Sequence, residues 1–303
     1  MTNHHNHPFS NAVVIGGGRI ACDCLNLLAN TGLTLHAVLT DQSPFALLEK
    51  TARKIGCPFT KTQHPAELTQ LFQNITKPTL VVSANNHWIF PPNVLHRPNL
   101  KIINYHNSLL PKHRGRNAPT WAIYAGDANA GASWHLVDQG IDTGPLLAQK
   151  NVPIHPHTTA VQLVAACMQA ASELFKNLLP SLLNWNLSPQ PITSQTHEYH
   201  RGTDVPNHGL LNTSWDFNQT SRFLRALDYG PLNVLPVPKL LLPNLDPQQL
   251  PLITKYDLHL TSTPAQLAPS QNTAIHTLVY PQNIITLSLR YPPDSPKFTN
   301  QPA

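Results

Sequence analysis

Asn104-Tyr105-His106, followed by Asn107-Ser108-Leu109-Leu110-Pro111, is the stretch whose residue types and spacing could do chemistry. Side chains alternate along a strand, so Asn104 and His106 point the same way. An amide and an imidazole together can hold a carbonyl oxygen as it becomes an oxyanion, provided the imidazole donates. A carboxylate is the natural companion. Asp142 stands in the turn-rich run Asp138-Gln139-Gly140-Ile141-Asp142-Thr143-Gly144-Pro145 and could return to the same face. A carboxylate there is expected to raise the histidine pKa, while partial burial raises its own. Taken singly, His106 reads as a satisfied core histidine, Asp142 as a cap for its turn, and His135 as a packed side chain. Asn104 two residues before His106, with the Ser-Leu-Leu-Pro turn after it, moves the reading from a core histidine to a functional one.

A second candidate lies earlier. Gly16, Gly18 and Ala21 fit G-x-G-x-x-A, with Asp41 placed where a ribose-binding acid could sit, which would suit an NAD(P)-binding oxidoreductase. A doubly wound sheet also needs small residues there for a tight turn and close helix packing, whatever it binds. On these residues both readings stay open.

The elements that must position these groups follow from composition and periodicity. Of 303 residues, 41% are hydrophobic and only 12% charged, against about 25% in average soluble domains. The formal net charge is +5 with 17 histidines counted neutral, and the bases form no run, so a dense nucleic-acid footprint is lacking. From residue 12 short apolar runs alternate with helical segments: Ala12 to Gly17, a helix over 19–30, Leu33 to Thr40, a helix opened by Ser43 and Pro44, Pro58 to Thr62, a helix near 65–75, Thr79 to Ser83, and Lys101 to His106. That rhythm predicts an α/β fold with a doubly wound, mostly parallel sheet. Pro145 to Ile154 reads as a further strand, then a helix from about Thr158 to Leu179 ended by Pro180. Many of the 30 prolines follow residue 150, where short apolar runs such as Lys239 to Leu242, Thr273 to Tyr280 and Asn283 to Leu289 predict a smaller β-rich C-terminal domain, with one helix near Gln219 to Leu227. The expected division is a flexible tail 1–11 carrying His4, His5 and His7, a catalytic domain 12–180, a linker 181–204 and a second domain 205–303. Cys22, Cys24, Cys57 and Cys167 are too few for a disulfide scaffold and lack a second pair for zinc. With no signal-peptide pattern and no long apolar run, a cytoplasmic protein with reduced thiols is expected.

N-x-H, S-L-L-P, G-x-x-x-H and D-x-G-P occur here in order, as Asn104 and His106, Ser108 to Pro111, Gly131 with His135, and Asp142 to Pro145. In this the sequence resembles the folate-dependent formyltransferases over residues 12–180. The resemblance implies a Rossmann-like formyltransferase fold, N10-formyltetrahydrofolate as donor, an amine as acceptor, and Asn104, His106 and Asp142 as the catalytic trio. It implies a folate pocket from His87, Trp88, Ile89 and Phe90, from Ser108, Leu109, Leu110 and Pro111, and from Asp138, Gln139, Gly140 and Ile141. It also implies that the first glycine turn holds no dinucleotide, that no metal is required, and that acyl transfer proceeds without a covalent intermediate, since no activated serine or cysteine accompanies the trio.

Within that family Ser133-Trp134-His135-Leu136, Arg225-Ala226-Leu227-Asp228-Tyr229-Gly230-Pro231 and Pro238-Lys239-Leu240 look like the formylation domain of nonribosomal peptide synthetases, which acts on an aminoacyl group tethered to a carrier protein. The Arg225 to Pro231 run reads equally as an ordinary helix end with a glycine cap. Trp215-Asp216-Phe217 and Arg222 to Leu227 resemble methionyl-tRNA formyltransferases. Those enzymes carry a basic insertion where this chain has only Asp41 to Pro44, which offers little phosphate grip. Sugar-nucleotide formyltransferases are a further alternative. The second domain is expected to position the acceptor.

Overall fold

The structure is a computed structural model and describes residues 8–40, 47–193, 198–232, 234–242, 245–259 and 274–292. It divides into two units: one holds the described residues up to Ala118 with Asn129–Pro153 and Val164–His200, the other Pro119–Ala128, Ile154–Leu163 and those from Arg201 onward.

In the first unit strands β1 (Asn11–Gly16), β2 (Thr34–Leu39), β3 (Phe59–Lys61), β4 (Thr79–Ala84) and β5 (Leu100–His106) alternate with helices α1 (Gly18–Leu28), α2 (Leu47–Ile55), α3 (Pro65–Gln73) and α4 (Pro92–Leu95). The two-residue β6 (Arg114–Gly115), helix α5 (Ala118–Ala125), β7 (Asn129–Leu136), β8 (Leu146–Pro153), helix α6 (Ala160–Leu183) and β9 (Tyr199–His200) follow in the chain, with nearly all of α5 and the first turn of α6 assigned to the second unit. The main sheet runs β3-β2-β1-β4-β5-β7-β8. Its first five strands are parallel, and β7 and β8 are antiparallel to their neighbours. One face is sealed by α3 and α4, whose Leu68, Phe72 and Val94 pack on Val13, Ile15, Val38, Val81 and Ile102. Trp134 of β7 is fully buried against Phe175 of α6 at 5.2 Å between centroids, its indole N–H donating to the Ala171 carbonyl.

In the second unit β10 (Leu210–Asn212), β11 (Lys239–Leu241), β12 (Leu252–His259), β13 (Ala274–Val279) and β14 (Ile284–Arg290) form a sheet in the order β10-β11-β12-β14-β13. Helix α7 (Phe217–Ala226) starts at Asp216, whose carboxylate accepts the Gln219 N–H, and covers the sheet with Phe223 and Leu224.

Three expectations need correction. Pro180 does not end the helix: α6 continues to Leu183, because burial of Leu182 and Leu183 outweighs one missing N–H in the last turn. The stretch 181–204 is no free linker where described. Gln190 pairs with Leu146, and β9 pairs with β6. Of the expected tail, residues 1–7 lie outside the described residues, while Phe9 is buried against Trp185 and Asn11 already belongs to β1. Asp41 and the loop to Pro44 also lie outside the described residues.

Candidate active site

Asn104 and His106 end the central strand β5, where the parallel half of the sheet meets the antiparallel half. Tyr105 between them turns to the opposite face and packs near Trp134. Because β7 runs against β5, its exit lies low, with the Val137 N–H bonded to the Ile102 carbonyl. The loop then folds back, and Asp142 reaches His106 Nδ1 at 3.4 Å and Asn104 Nδ2 at 3.5 Å. The trio therefore does converge, with His135 joining it: its Nε2 lies 3.1 Å from Asn104 Nδ2 and 3.4 Å from Asp142 Oδ1.

Hydrogen bonding fixes the state of each group. Ser83, at the end of β4 and in register with Asn104, donates its hydroxyl to Asn104 Oδ1 at 2.7 Å, which sets the amide with its NH2 towards His135 and Asp142. His135 Nδ1 faces the Leu136 carbonyl at 2.8 Å and so carries the proton, leaving Nε2 to accept from Asn104. His106 Nε2 faces the His113 carbonyl at 2.9 Å and is likewise the protonated nitrogen. His106 Nδ1 faces Asp142 Oδ2. The 3.4 Å contact is longer than a charge-assisted bond, as befits a neutral imidazole.

Electrostatics agree with that geometry and overturn the expected shifts. Burial pushes the His106 imidazole down, and the pull of Asp142 and of the His113 carbonyl only partly offsets it. Burial also acts to raise Asp142, but His106, His135 and the Gly115 N–H hold the carboxyl well below the usual carboxylate range. The resting pair is a neutral imidazole beside a carboxylate.

Backbone conformation carries the site. Asn85, His113, Asn117 and Asp142 all have left-handed φ, between 51° and 56°, the region that Asn, Asp and His enter most readily among residues with a Cβ. The Gly115 N–H donates to Asp142 Oδ2 at 2.9 Å. Glycine is required there, since φ is +91° and a Cβ would lie 2.2 Å from the His200 carbonyl. The Ser108–Pro111 turn is pinned to β7 and β8: Ser133 Oγ donates to the Ser108 carbonyl, and Gln149 donates to the Leu110 carbonyl.

The other expected binding residues are dispersed in role. Phe90 and Trp88 pack with Phe72 in the core, at 5.6 and 5.5 Å between centroids, so their rings are engaged there. His87 contacts Arg116, and Ile89 stands 69% exposed. Ser108 and Leu110 are buried, Leu109 and Pro111 partly so. Asp138 closes its own turn by accepting from Gly140 N–H and the Thr143 hydroxyl; Gln139 contacts His96, and Ile141 is exposed. Ser83, His113 and Gly115 were not anticipated as site residues. Ser83 did carry a signal, as a hydroxyl ending an otherwise apolar run.

The first glycine turn has a sufficient packing explanation. Gly16 has φ +134°, a Cβ there would fall 1.9 Å from the Ala84 carbonyl, and the Gly17 N–H is bonded to that same oxygen. The four cysteines are free; burial pushes the Cys167 thiol up to about 12. Among the described residues no helix is long and apolar enough to cross a membrane.

Residues 31–179 match the formyl transferase family. A methionyl-tRNA formyltransferase of Synechococcus sp. (strain JA-3-3Ab) is 41% identical over 103 residues, covering 34% of this chain and 32% of that protein. That match thus spans about a third of the relative's length. The GDP-perosamine N-formyltransferase of Brucella melitensis biotype 1 is 25% identical over 232 residues, covering 74% of this chain and 87% of that protein. Among solved structures, WlaRD, a sugar 3N-formyl transferase crystallised in the presence of dTDP and 5-N-formyl-THF, superposes with a TM-score of 0.69 at 18% identity, covering 93% of this chain and 98% of that one. Its likeness concerns the fold. The unit that carries the trio is thus similar, over residues 31–179, to the formyl transferase family.

Proposed function

We propose that the protein transfers a formyl group from N10-formyltetrahydrofolate to a primary amine. The observation that carries this reading is the meeting of Asn104, His106 and Asp142 at the end of β5 inside the stretch similar to the formyl transferase family. The amine nitrogen attacks the formyl carbon, the carbonyl becomes an oxyanion, and collapse expels folate N10. The Asn104 N–H that points at Asp142 across 3.5 Å is weakly engaged and is the donor an oxyanion can claim. Neutral His106 beside the Asp142 carboxylate takes up the proton the amine loses, through a water where needed, Asp142 stabilises the imidazolium that results, and the imidazolium returns that proton to folate N10 as it leaves. His106 acts in this scheme as base, with its Nε2 held by His113, and not as a resting cation.

For the acceptor, the amine of a nucleotide-linked sugar is favoured. Matches of similar extent reach GDP-perosamine N-formyltransferase, over 232 residues at 25% identity, and another methionyl-tRNA formyltransferase, over 229 at 28%, so the preference rests on the sequence Asp41 to Pro44, which carries no base to grip tRNA phosphates. A carrier-protein aminoacyl group is the second reading, resting on the Arg225 to Pro231 run. Internal packing accounts for much of that run: Arg225 donates to Ser221 and to the Thr158 carbonyl, Tyr229 bonds Thr120, and Asp228 accepts from Tyr256. The reaction is assigned to the cytoplasm, where thiols stay reduced. Labelled formyl donor offered with nucleotide-linked amino sugars, aminoacyl carrier protein and initiator methionyl-tRNA decides among them. Label in the sugar supports the first reading, label in the carrier protein or tRNA replaces it, and label in no amine defeats formyl transfer itself.

A further inference from the structure

The loop after β5 and strand β9 bring three metal-ligating side chains together beside the trio, although 85 residues separate His113 from Glu198. His113 Nδ1 lies 3.2 Å from His200 Nε2 and 3.4 Å from Glu198 Oε2. One donor atom from each of the three falls within 4.8 Å of the others. Bonds of roughly 2.0–2.2 Å from a tetrahedral ion to nitrogen and oxygen set its ligands about 3.3 Å apart along each edge. The two short contacts have that length. Two imidazoles and a carboxylate suit zinc and its transition-metal neighbours better than hard cations.

The backbone presets these ligands before any ion arrives. Glu198 and His200 are two residues apart at β9 and share a face. Their carbonyls accept the Arg114 and Arg116 N–H groups at 3.2 and 2.8 Å. His113 is held at φ +51°, buried, while the Glu198 side chain is 50% exposed and leaves an entry path from solvent. We propose that His113, Glu198 and His200 form a binding site for a divalent transition-metal ion of the zinc type, with water in the fourth position. Its role is to brace. The His113 carbonyl holds His106 Nε2 and the Gly115 N–H holds Asp142, so an ion here ties β9 to the turn that fixes the proton-handling pair.

The test uses the full chain with His4, His5 and His7 replaced by alanine, so that the N-terminal histidines do not compete. The protein is stripped with a chelator and titrated with Zn2+ against a chromophoric competitor, and with Co2+ for its visible spectrum. One equivalent bound with a dissociation constant of about 1 μM or below is expected. Glu198→Gln and His200→Ala should each weaken binding at least tenfold and remove the intense bands of four-coordinate cobalt. Glu198→Gln decides alone if His200→Ala fails to fold, because its side chain is half exposed. Less than half an equivalent bound, or affinity unchanged in Glu198→Gln, would overturn the proposal and leave a hydrogen-bonded histidine pair only.

Discussion

Replacing Asp142 by asparagine is the sharpest perturbation the site offers. The side chain keeps its shape and an oxygen for the Gly115 N–H, exchanges the oxygen facing Asn104 Nδ2 for an NH2, and loses the charge that faces His106 at 3.4 Å. With His106 neutral at rest, the charge matters chiefly when the imidazole takes the amine proton. At an effective dielectric constant of about 20 the attraction over that distance is about 5 kcal/mol, falling to about 1 kcal/mol if water screens it fully. Only 10% of the Asp142 side chain is exposed, so the upper part of that range applies. At 1.36 kcal/mol per decade this is a loss of roughly two to four powers of ten in the chemical step. The assay is single-turnover transfer from formyltetrahydrofolate to the acceptor identified by screening, with donor affinity measured separately by fluorescence. Donor binding should stay within a few-fold of wild type. Single-turnover rates within threefold of wild type from pH 6 to 9, in a folded variant, would refute the proton-handling role of the pair.

His106→Ala should lower turnover at least a hundredfold with folate affinity kept, measured by steady-state transfer and donor titration. Ser83→Ala removes the donor to Asn104 Oδ1; unfolding in denaturant should show a loss of about 1–3 kcal/mol, and transfer should slow about tenfold as the amide loses its orientation. Stability should depend on acid through Asp142. Its carboxyl is depressed in the fold, so its contribution is fully present above the unfolded value near pH 3.9 and lost as pH falls through the lower folded value. Thermal melts of wild type and Asp142→Asn should therefore converge on acidification, and a constant gap down to pH 2 would contradict this. NADH should give no thermal shift, because the Gly17 N–H is already bonded to Ala84 and Gly16 is packed against it, while a formyltetrahydrofolate analogue should raise the melting point.

The parallel half of the sheet was legible because most of its strands, β1 and β4 above all, are buried on both faces and read as nearly unbroken apolar runs. Asn104 and His106 were legible for a related reason: a polar residue, a tyrosine and a histidine in alternation end such a run, and the period of two puts both on one face. Asp142 needed more, since nothing local says that a loop leaving β7 at the level of Ile102 folds back to His106. The protonation pattern was illegible for a physical reason. Whether burial or the carboxylate dominates at His106 depends on depth and on the His113 carbonyl, which no spacing reveals. Likewise His113 meets His200 through the pairing of β6 with β9, and the contact of Trp88 and Phe90 with Phe72 is tertiary packing that no spacing reveals.

The left-handed residues Asn85, His113, Asn117 and Asp142 bear on how this catalyst could be re-engineered. Each position screens a newcomer twice, once for the group it presents and once for the backbone it tolerates, and β-branched side chains fail the second screen outright. A library that randomises the four together would therefore collapse to a small alphabet of glycine, asparagine, aspartate and histidine. Glycine is the informative letter in it: Asp142→Gly deletes the carboxylate while keeping the turn, so comparison with Asp142→Val separates what the site owes to its chemistry from what it owes to its backbone.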